Sequence, residues 1–409
     1  MKRIAIIGGG ASGLMAAIAA AENGTEVMIF EANDRVGKKI LSTGNGRCNM
    51  TNIHADTDHY HGEDPSFIRG AASVIWVDGT IKLFRRLGVL AREEESGKVY
   101  PYCGTASSVL DALRERIKAL GITVRTGFEV KDIIKKKDGF MIVSFKNERE
   151  KATAVIISTG GKAAPSSGSK GVGYELLGKF GHTVTELRPS LVQIKTQPDT
   201  VRKLKGIKLI AEASVNRVTE KGEVLFTDYG LSGPPIFYLS SYIDGAESIS
   251  LDLMPEYTVR DVEKLLSEKS KNCPCTPLES FTAGIINKKV GQIILKQAGI
   301  SPLSRPTGSL SIEEIKRAAA IIKCWRFKIE GTMSWNNAQV TRGGVRTCEF
   351  DPITLESKLI GGIYASGEVL DIDGDCGGYN LQWAWSSGYA AGSAAADNIL
   401  KNTRKELII

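Results

Sequence analysis

The chain opens on a continuous apolar run, Ile4-Ala5-Ile6-Ile7, that meets a glycine turn without a gap. A run apolar at every position, rather than at alternate ones, predicts a strand buried on both faces of a parallel sheet. Residues Ser12 to Asn23 follow as a helix stopped by Gly24, and Val27-Met28-Ile29-Phe30 makes a second strand closed by Glu31. The turn between strand and helix, Gly8-Gly9-Gly10-Ala11-Ser12-Gly13, reads G-x-G-x-x-G. In that motif Gly8 permits the tight turn, Gly10 lets backbone approach a diphosphate, and Gly13 lets helix and strand pack closely. The helix start at Ala11 and Ser12 then offers amides and the positive end of a dipole to the anion. Glu31 lies eighteen residues past Gly13, where a carboxylate accepts from both ribose hydroxyls and repels a 2′-phosphate. This stretch alone therefore predicts NAD or FAD, and excludes NADP from this site.

Helical spacing of apolar positions predicts helices over Ser66 to Leu90 and Ser107 to Leu120, the second stopped by Gly121 and followed by a strand from Ile122 to Thr126. Phe128 to Ile134 and Phe140 to Phe145 alternate as a hairpin. Ala154 to Ser158 is again a buried run, ending in Thr159-Gly160-Gly161, and the stretch Gly168 to Glu175 begins a helix that runs to Phe180. From about Pro189 the pattern shifts to short alternating strands, Leu191 to Thr196, Leu209 to Val218, Glu223 to Phe226 and Ser248 to Leu253. Helical segments follow over Val259 to Ser270, Leu278 to Gly299 and Ile312 to Ile322, before strands Trp325 to Glu330 and Ala338 to Thr341. The expected organisation is a nucleotide-binding domain split into 1–188 and 346–409, with a cap at 189–345 inserted in it. That cap is β-rich over 189–256 and 325–345 and helical over 257–324. No second G-x-G-x-x-G follows a strand, so a separate nicotinamide domain is not expected.

The C-terminal part returns to the first domain. Ile363-Tyr364-Ala365-Ser366-Gly367-Glu368 is a strand ending in Gly-Glu, then Asp371, Asp373 and Asp375 precede Gly377-Gly378-Tyr379-Asn380-Leu381 and a helix to about Leu400. Gly388, Ala391, Gly392 and Ala395 keep one face of that helix thin, as close packing against the first βαβ unit requires. A strand-end acid suits a ribityl chain, and the helix start at Gly378 suits the pyrimidine end of a flavin, where reduction places negative charge. Thr159-Gly160-Gly161 and Gly367-Glu368 decide for FAD, because NAD has no ribityl chain for them to hold. Between the two dense regions lies the polar, glycine-rich stretch Asp34 to Asn52, in which Lys39, Asn45, Arg47, Cys48 and Asn49 offer donors beside a ligand. Candidate flavin contacts thus include Gly8, Gly10, Ala11, Ser12, Gly13, Glu31, Lys39, Asn45, Arg47, Cys48, Asn49, Thr159, Gly160, Gly161, Gly367, Glu368, Asp371, Gly378, Tyr379, Asn380 and Leu381, with Val130 on the hairpin added. Tyr379, Cys376 and Arg47 are the catalytic candidates, Arg47 as a partner for an enolate.

With 409 residues, 42% hydrophobic and 24% charged, the chain has ample material for two or three domains. No apolar run reaches membrane-spanning length, and the first strand starts at once, so a cytoplasmic protein without a membrane partner is expected. The seven cysteines are irregularly spaced, and Cys273-Pro274-Cys275 has no second pair beside it, so no metal site is expected. His54, His59 and His61 cluster with Asp56, Asp58 and Glu63 in a segment whose residue types could hold a metal but whose composition reads as a solvated loop. The formal charge is +7, but Lys135-Lys136-Lys137 reads as a hairpin tip, and Lys401, Arg404 and Lys405 as a terminal tail. Neither makes an aromatic-interleaved basic face, so a small-molecule substrate is expected and a nucleic acid is not.

Thr43-Gly44-Asn45-Gly46-Arg47-Cys48-Asn49, Phe226-Thr227-Asp228-Tyr229-Gly230-Leu231-Ser232-Gly233-Pro234, Ala338-Gln339-Val340-Thr341-Arg342-Gly343-Gly344-Val345 and the run from Gly367 to Gly388 carry a resemblance. Through them the chain resembles the bacterial NAD(P)/FAD-dependent oxidoreductases of the bile-acid-reductase-like (BaiN-type, also aminoacetone-oxidase-like) family, over residues 4 to 392. The resemblance implies an α/β fold: a split two-dinucleotide-binding, Rossmann-like FAD domain with an inserted β-barrel-like and helical cap. It also implies non-covalent FAD, NAD(P)H as a transient electron donor, and reduction of C=C bonds conjugated to a 3-oxo group. A flavin oxidase of amino ketones or amines is the second expectation, and flavin-dependent tRNA modification a third, which would use the positive charge.

Overall fold

The computed structural model describes residues 2–406. It separates into two compact units, Met1–Pro189 with Ala338–Ile409, and Ser190–Asn337.

The first unit is built on five parallel strands: β1 (Arg3–Ile7), β2 (Glu26–Glu31), β3 (Thr123–Thr126), β4 (Ala154–Ile157) and β5 (Ile363–Ala365), in the order β5-β4-β1-β2-β3. Ile6 pairs with Ile29 on one side and Ile156 on the other, so the run from Ile4 to Ile7 is buried between neighbours as its composition requires. Helices α1 (Ala11–Glu22), α2 (Ala106–Ala119) and α3 (Tyr379–Glu406) flank the sheet. Helix α1 is buried from Ser12 to Ala20, and its alanines let α3 lie directly on it. A Cβ at Gly388 would stand 2.2 Å from the Ser12 carbonyl oxygen, and one at Gly392 would stand 2.2 Å from that of Ala16. Trp383 and Trp385, both buried, anchor the other face by donating indole N–H to the carbonyls of Gly367 (3.1 Å) and Met50 (2.9 Å).

Several elements depart from the pattern reading. The helix expected over Ser66 to Leu90 is two helices, Ile68–Val74 and Val77–Arg86, separated by extended backbone at Ile75 and Trp76. That break is held from outside, since the Ile75 carbonyl accepts from Ser386 and the Trp76 indole donates to Ala55. The hairpin is a three-stranded ribbon, because Arg149–Ala152 pairs with Gly139–Ser144. Its third strand, Arg-Glu-Lys-Ala, is too polar to show alternation. Helix α3 runs to Glu406 rather than ending near Leu400, which puts Lys401 on the helix, while the side chains of Arg404 and Lys405 lie outside the described residues. Ala338 to Val345, expected with the cap, belongs to the first unit. Thr341 explains it: its hydroxyl accepts from the amides of Lys162 (2.7 Å) and Ala163 (3.0 Å), and its own amide donates to Glu368.

The second unit contains a closed six-stranded barrel, with Ile194–Thr196, Gly230–Ser232, Val218–Phe226, Lys208–Val215, Ser248–Asp252 and Trp325–Thr332 in that order around it. Phe226, Trp325 and Phe327 meet in its core. Helices Val259–Asn272, Lys288–Gln297 and Ile312–Lys323 pack with it, the first and last opened by capping boxes at Thr258 and Ser311. The strand expected over Leu209 to Val218 turns early, because Asn216 adopts a left-handed conformation and starts the return strand at Val218. The helix expected from Leu278 starts at Lys288, where the Asn287 side chain caps it. No helix among the described residues is long and apolar enough to cross a membrane.

One buried group of the first unit sets a pH dependence. The ring of His182 stacks on Phe350 at 4.5 Å and bonds Glu349 (2.8 Å) and Ser357 (2.9 Å). Burial lowers its pKa, and hydrogen bonds from the Thr183 amide and His182 lower that of Glu349. The unfolded imidazole takes a proton near about pH 6.5, which the folded one resists, so stability is full above that pH and falls as the pH drops through it. The carboxylate adds a further loss below about pH 4.5. Denaturant titrations from neutral to acid pH are expected to show this slope, and His182→Gln to flatten its upper part.

Candidate functional site

The glycine turn after β1 is shaped by three different demands. Gly8 sits at φ +104°, with its Cβ position 2.5 Å from the Ser158 carbonyl oxygen, and a Cβ on Gly13 would stand 2.0 Å from the Gly8 carbonyl oxygen. Gly10 has nothing within 4 Å of its Cβ position, and no side chain caps the helix that starts after it. The first amides of α1, at Ala11 and Ser12, thus open onto space that a side chain at Gly10 would fill. Glu31 is buried at the end of β2, where its carboxylate accepts from the Gly9 amide (2.8 Å) and from the amide and side chain of Asn33 (2.8 and 2.7 Å). A carboxylate has about four acceptor positions, so one stays available to a sugar hydroxyl. The Asn33 side chain also donates to Ser167, while the Phe128 amide donates to the Glu31 carbonyl, and Val130 is buried just beyond.

The middle of the site joins β4 to β5. Ser158 and Ser366 share a hydroxyl hydrogen bond (2.9 Å) at the two strand ends, and Ser12 donates to the Ser366 carbonyl. Thr159 leads into Gly160, at φ +69°, and Gly161, whose Cβ position is 2.3 Å from the Thr341 hydroxyl. After Gly367, Glu368 accepts from the Thr341 amide (2.7 Å) and pairs with Lys39 (2.8 Å), which also reaches the Ala163 carbonyl.

At the far end the segment Thr43 to Asn49 coils tightly, with Gly44, Asn45, Gly46 and Cys48 all at positive φ. For Asn45 and Cys48 this is strained backbone of a kind that concentrates at ligand sites. Asn49 is buried with its side-chain oxygen unpartnered, and that oxygen stands 2.8 Å from the Cβ position of Gly378. Gly378, at φ +105°, opens α3 beneath it, its Cβ position 2.5 Å from the Thr51 carbonyl oxygen. An acceptor with no partner beside a helix N-terminus fits the N3–H and O2 of a flavin ring. With the open Gly10 turn and the acidic β2 end, the residues present fit FAD along its whole length.

The comparisons agree with this geometry. Residues 2–394 match the model of the HI0933-like protein Rossmann domain. The chain belongs to the HI0933-like family. It is an FAD-dependent oxidoreductase with a Rossmann-like domain and an inserted barrel and helical region. The chain is 39% identical to a 3-dehydro-bile acid delta(4,6)-reductase of Clostridium scindens, over 97% of this chain and 100% of the relative. It is 31% identical to a ribosomal RNA dihydrouridine synthase of Haemophilus influenzae, over 94% of this chain and 96% of that one. A 3-ketosteroid delta1-dehydrogenase structure from Sterolibacterium denitrificans shares the fold, with 10% identity, a TM-score of 0.51, and coverage of 97% of this chain and 100% of its own.

In this HI0933-like chain the catalytic candidates are differently placed. Arg47 shares the Glu94 carboxylate (2.6 Å) with Arg92 (2.7 Å) and lies 4.0 Å over the Tyr100 ring, so its guanidinium is held by the protein rather than free beside the flavin. Cys376 is exposed. Tyr379 is buried, stacked on His59 at 4.4 Å, with its carbonyl accepting from the Tyr60 hydroxyl (3.0 Å). Asp371 accepts from the Glu63 amide, and Asn380 clamps the Gly374 amide and carbonyl, so both shape the turn before α3; Leu381 is half-buried in the first turn of α3. Cys48 is fully buried, and burial pushes its thiol up to about 12. At about pH 8 almost none of it is thiolate, so iodoacetamide mapping of the folded protein is expected to spare Cys48 while modifying Cys376 and Cys103.

In the segment read as a solvated loop, His54, Asp56, Asp58 and Glu63 are exposed as expected, but its middle joins the turn before α3. Tyr60–His61 pairs with Asp373–Gly374, and Asp375 is held by both His59 (3.1 Å) and His61 (2.8 Å). The three histidines, spaced without period, gave no signal of that pairing. Asp373 and Asp375, which the sequence shows only as acids preceding the glycine pair, are buried there as well.

Proposed function

We propose that this chain reduces carbon–carbon double bonds conjugated to a carbonyl, with NAD(P)H docking transiently as the electron donor. The observation that carries this reading is the end-to-end similarity to a bile acid reductase acting next to a 3-oxo group. Bound and reduced, the flavin supplies hydride to the β-carbon of such an acceptor. The chain's own residues do the rest. The α1 amides and Gly10 hold the diphosphate, Glu31 takes the adenosine ribose, and Gly367-Glu368 with Lys39 line the ribityl chain. Asn49 and the Gly378 helix start orient the ring and favour the negative charge that reduction brings to it.

The dihydrouridine synthase relative favours a second reading with the same chemistry. The C5=C6 bond of uracil is itself conjugated to a carbonyl, and the formal charge of +7 suits an RNA partner. Reoxidation of the reduced holoenzyme without oxygen separates the two readings. A 3-oxo-Δ4 bile acid is expected to restore the flavin band within seconds, and ribosomal RNA to leave it bleached. The reverse order of reactivity would favour the RNA reading, and stoichiometric peroxide with amines in air would favour an oxidase. Bleaching of the oxidised band by NADH or NADPH tests the donor, and failure with both removes NAD(P)H.

A further inference from the structure

Reduction of a conjugated double bond adds a hydride at the β-carbon and a proton at the α-carbon, and the proton needs a source. Four carboxyl groups stand at the flavin end of the first unit. Glu368 is held by Lys39 and the Thr341 amide, Asp371 accepts from the Glu63 amide, and Asp375 is shared by His59 and His61. Asp373 differs from all three. It is 1% exposed, and neither of its carboxyl oxygens has a hydrogen-bond partner.

A buried carboxylate without donors is costly, so the group keeps its proton to higher pH than an exposed aspartate does. Burial raises the pKa of Asp373 to about 6, against the pull of Arg342 and His61 and with the repulsion of Asp371 and Glu368. Its backbone is fixed by pairing with His61, and the His59-Asp375-His61 set two residues on holds the same turn rigid. The carboxyl therefore sits in a preset place, between the Glu368 strand end and the α3 start, with nothing of the protein to receive its proton.

We propose that Asp373 is the acid that protonates the α-carbon of the acceptor, an assignment that rests on the reductase reading above. A bound flavin, reduced by the nicotinamide, would supply the hydride that forms the C–H bond at the β-carbon, with the π electrons moving toward the carbonyl. The enolate then takes the Asp373 proton at the α-carbon, restoring the C=O, and the carboxylate regains a proton from water. The product carries two more hydrogens than the substrate, and one nicotinamide is oxidised.

The test compares wild type with Asp373→Asn, both as FAD holoenzymes. The variant is expected to keep its FAD and its reoxidation by dioxygen, which protonates no carbon. Its reoxidation by a 3-oxo-Δ4 bile acid is expected to slow by about 10²-fold or more. The wild-type rate is expected to fall as the pH rises through about 6, and the variant rate to lose that fall. A carboxyl whose folded pKa is raised destabilises the fold once it ionises, so the variant is also expected to melt higher than wild type above that pH and equally at about pH 4. A variant reoxidised by the enone at the wild-type rate, a variant that loses FAD, or identical melting at every pH would each overturn the assignment. A wild type inert to every conjugated acceptor would sink the reductase reading and the assignment with it, whereas an active wild type with an unimpaired variant would sink the assignment alone.

Discussion

Gly388→Val is expected to empty the flavin site without touching it. The added side chain begins 2.2 Å from the Ser12 carbonyl oxygen and within 3.0 Å of the Ser12 backbone, so α3 must move away from α1. Backbone cannot yield as a flexible side chain does, and overpacking of this kind costs about 3 kcal/mol or more. The same displacement carries Gly378 and Tyr379 away from Asn49 and parts the Gly367 amide from the Ser387 hydroxyl (2.9 Å). Thermal melting and the ratio of flavin to protein absorbance in the purified protein read both effects together. Gly178→Ala is the control: nothing lies within 4 Å of that Cβ position, and a helical glycine replaced by alanine is expected to gain up to about 1 kcal/mol. A Gly388→Val protein that melts as wild type and keeps its flavin would show that the contact between α1 and α3 is not what shapes the site.

Glu31→Ala is expected to weaken FAD binding about 100-fold. Removal of the carboxylate takes the acceptor from the buried Gly9 amide and from the amide and side chain of the half-buried Asn33, whose side chain then donates only to Ser167. Each buried donor without a partner costs about 1 kcal/mol or more, and about 1.4 kcal/mol is a factor of ten in affinity. The Gly9 amide belongs to the diphosphate turn itself, so the damage spreads from the ribose end to the anion site. Fluorescence titration of the apoprotein with FAD measures the loss. Glu31→Gln keeps one acceptor oxygen and is expected to fall between the two, which separates lost hydrogen bonds from lost charge.

The order of strands and helices in the first unit was legible because its buried strands are apolar at every position and its glycines mark the turns. Ile4 to Ile7, Val27 to Phe30 and Ala154 to Ile157 needed no tertiary context. The thin face of α3 was legible for the same reason, since Gly388 and Gly392 in a helix make sense only beneath another backbone. What escaped the sequence depended on partners distant along the chain. The break at Ile75 is held by Ser386, and the return of Ala338 to Val345 to the first unit is held by Lys162, Ala163 and Glu368. Arg47 looked like a free cation beside a flavin because nothing local announces Glu94, forty-seven residues on. The histidine segment was legible only in part: His54, Asp56, Asp58 and Glu63 are exposed as a solvated loop requires, but pairing with Asp373-Gly374, distant in sequence, turns His59 and His61 to Asp375.

Asp373 shows the same limit from the other side. Three alternate aspartates before a glycine pair were visible, but which of them lacks a partner is decided by Glu63, His59 and His61, far off in sequence. A buried carboxyl is a functional candidate because evolution of a stable core alone would replace it with an apolar residue of similar size.

Hydride is expected to pass from a flavin held by the first unit to a conjugated double bond. One anaerobic turnover of the reduced holoenzyme with an equimolar 3-oxo-Δ4 bile acid, followed by mass spectrometry of the steroid, tests it most directly. One equivalent of oxidised flavin is expected for each steroid molecule gaining two hydrogens across the former double bond. A flavin that stays reduced with the steroid, and equally with a uridine-containing RNA, while reacting promptly with dioxygen would contradict it.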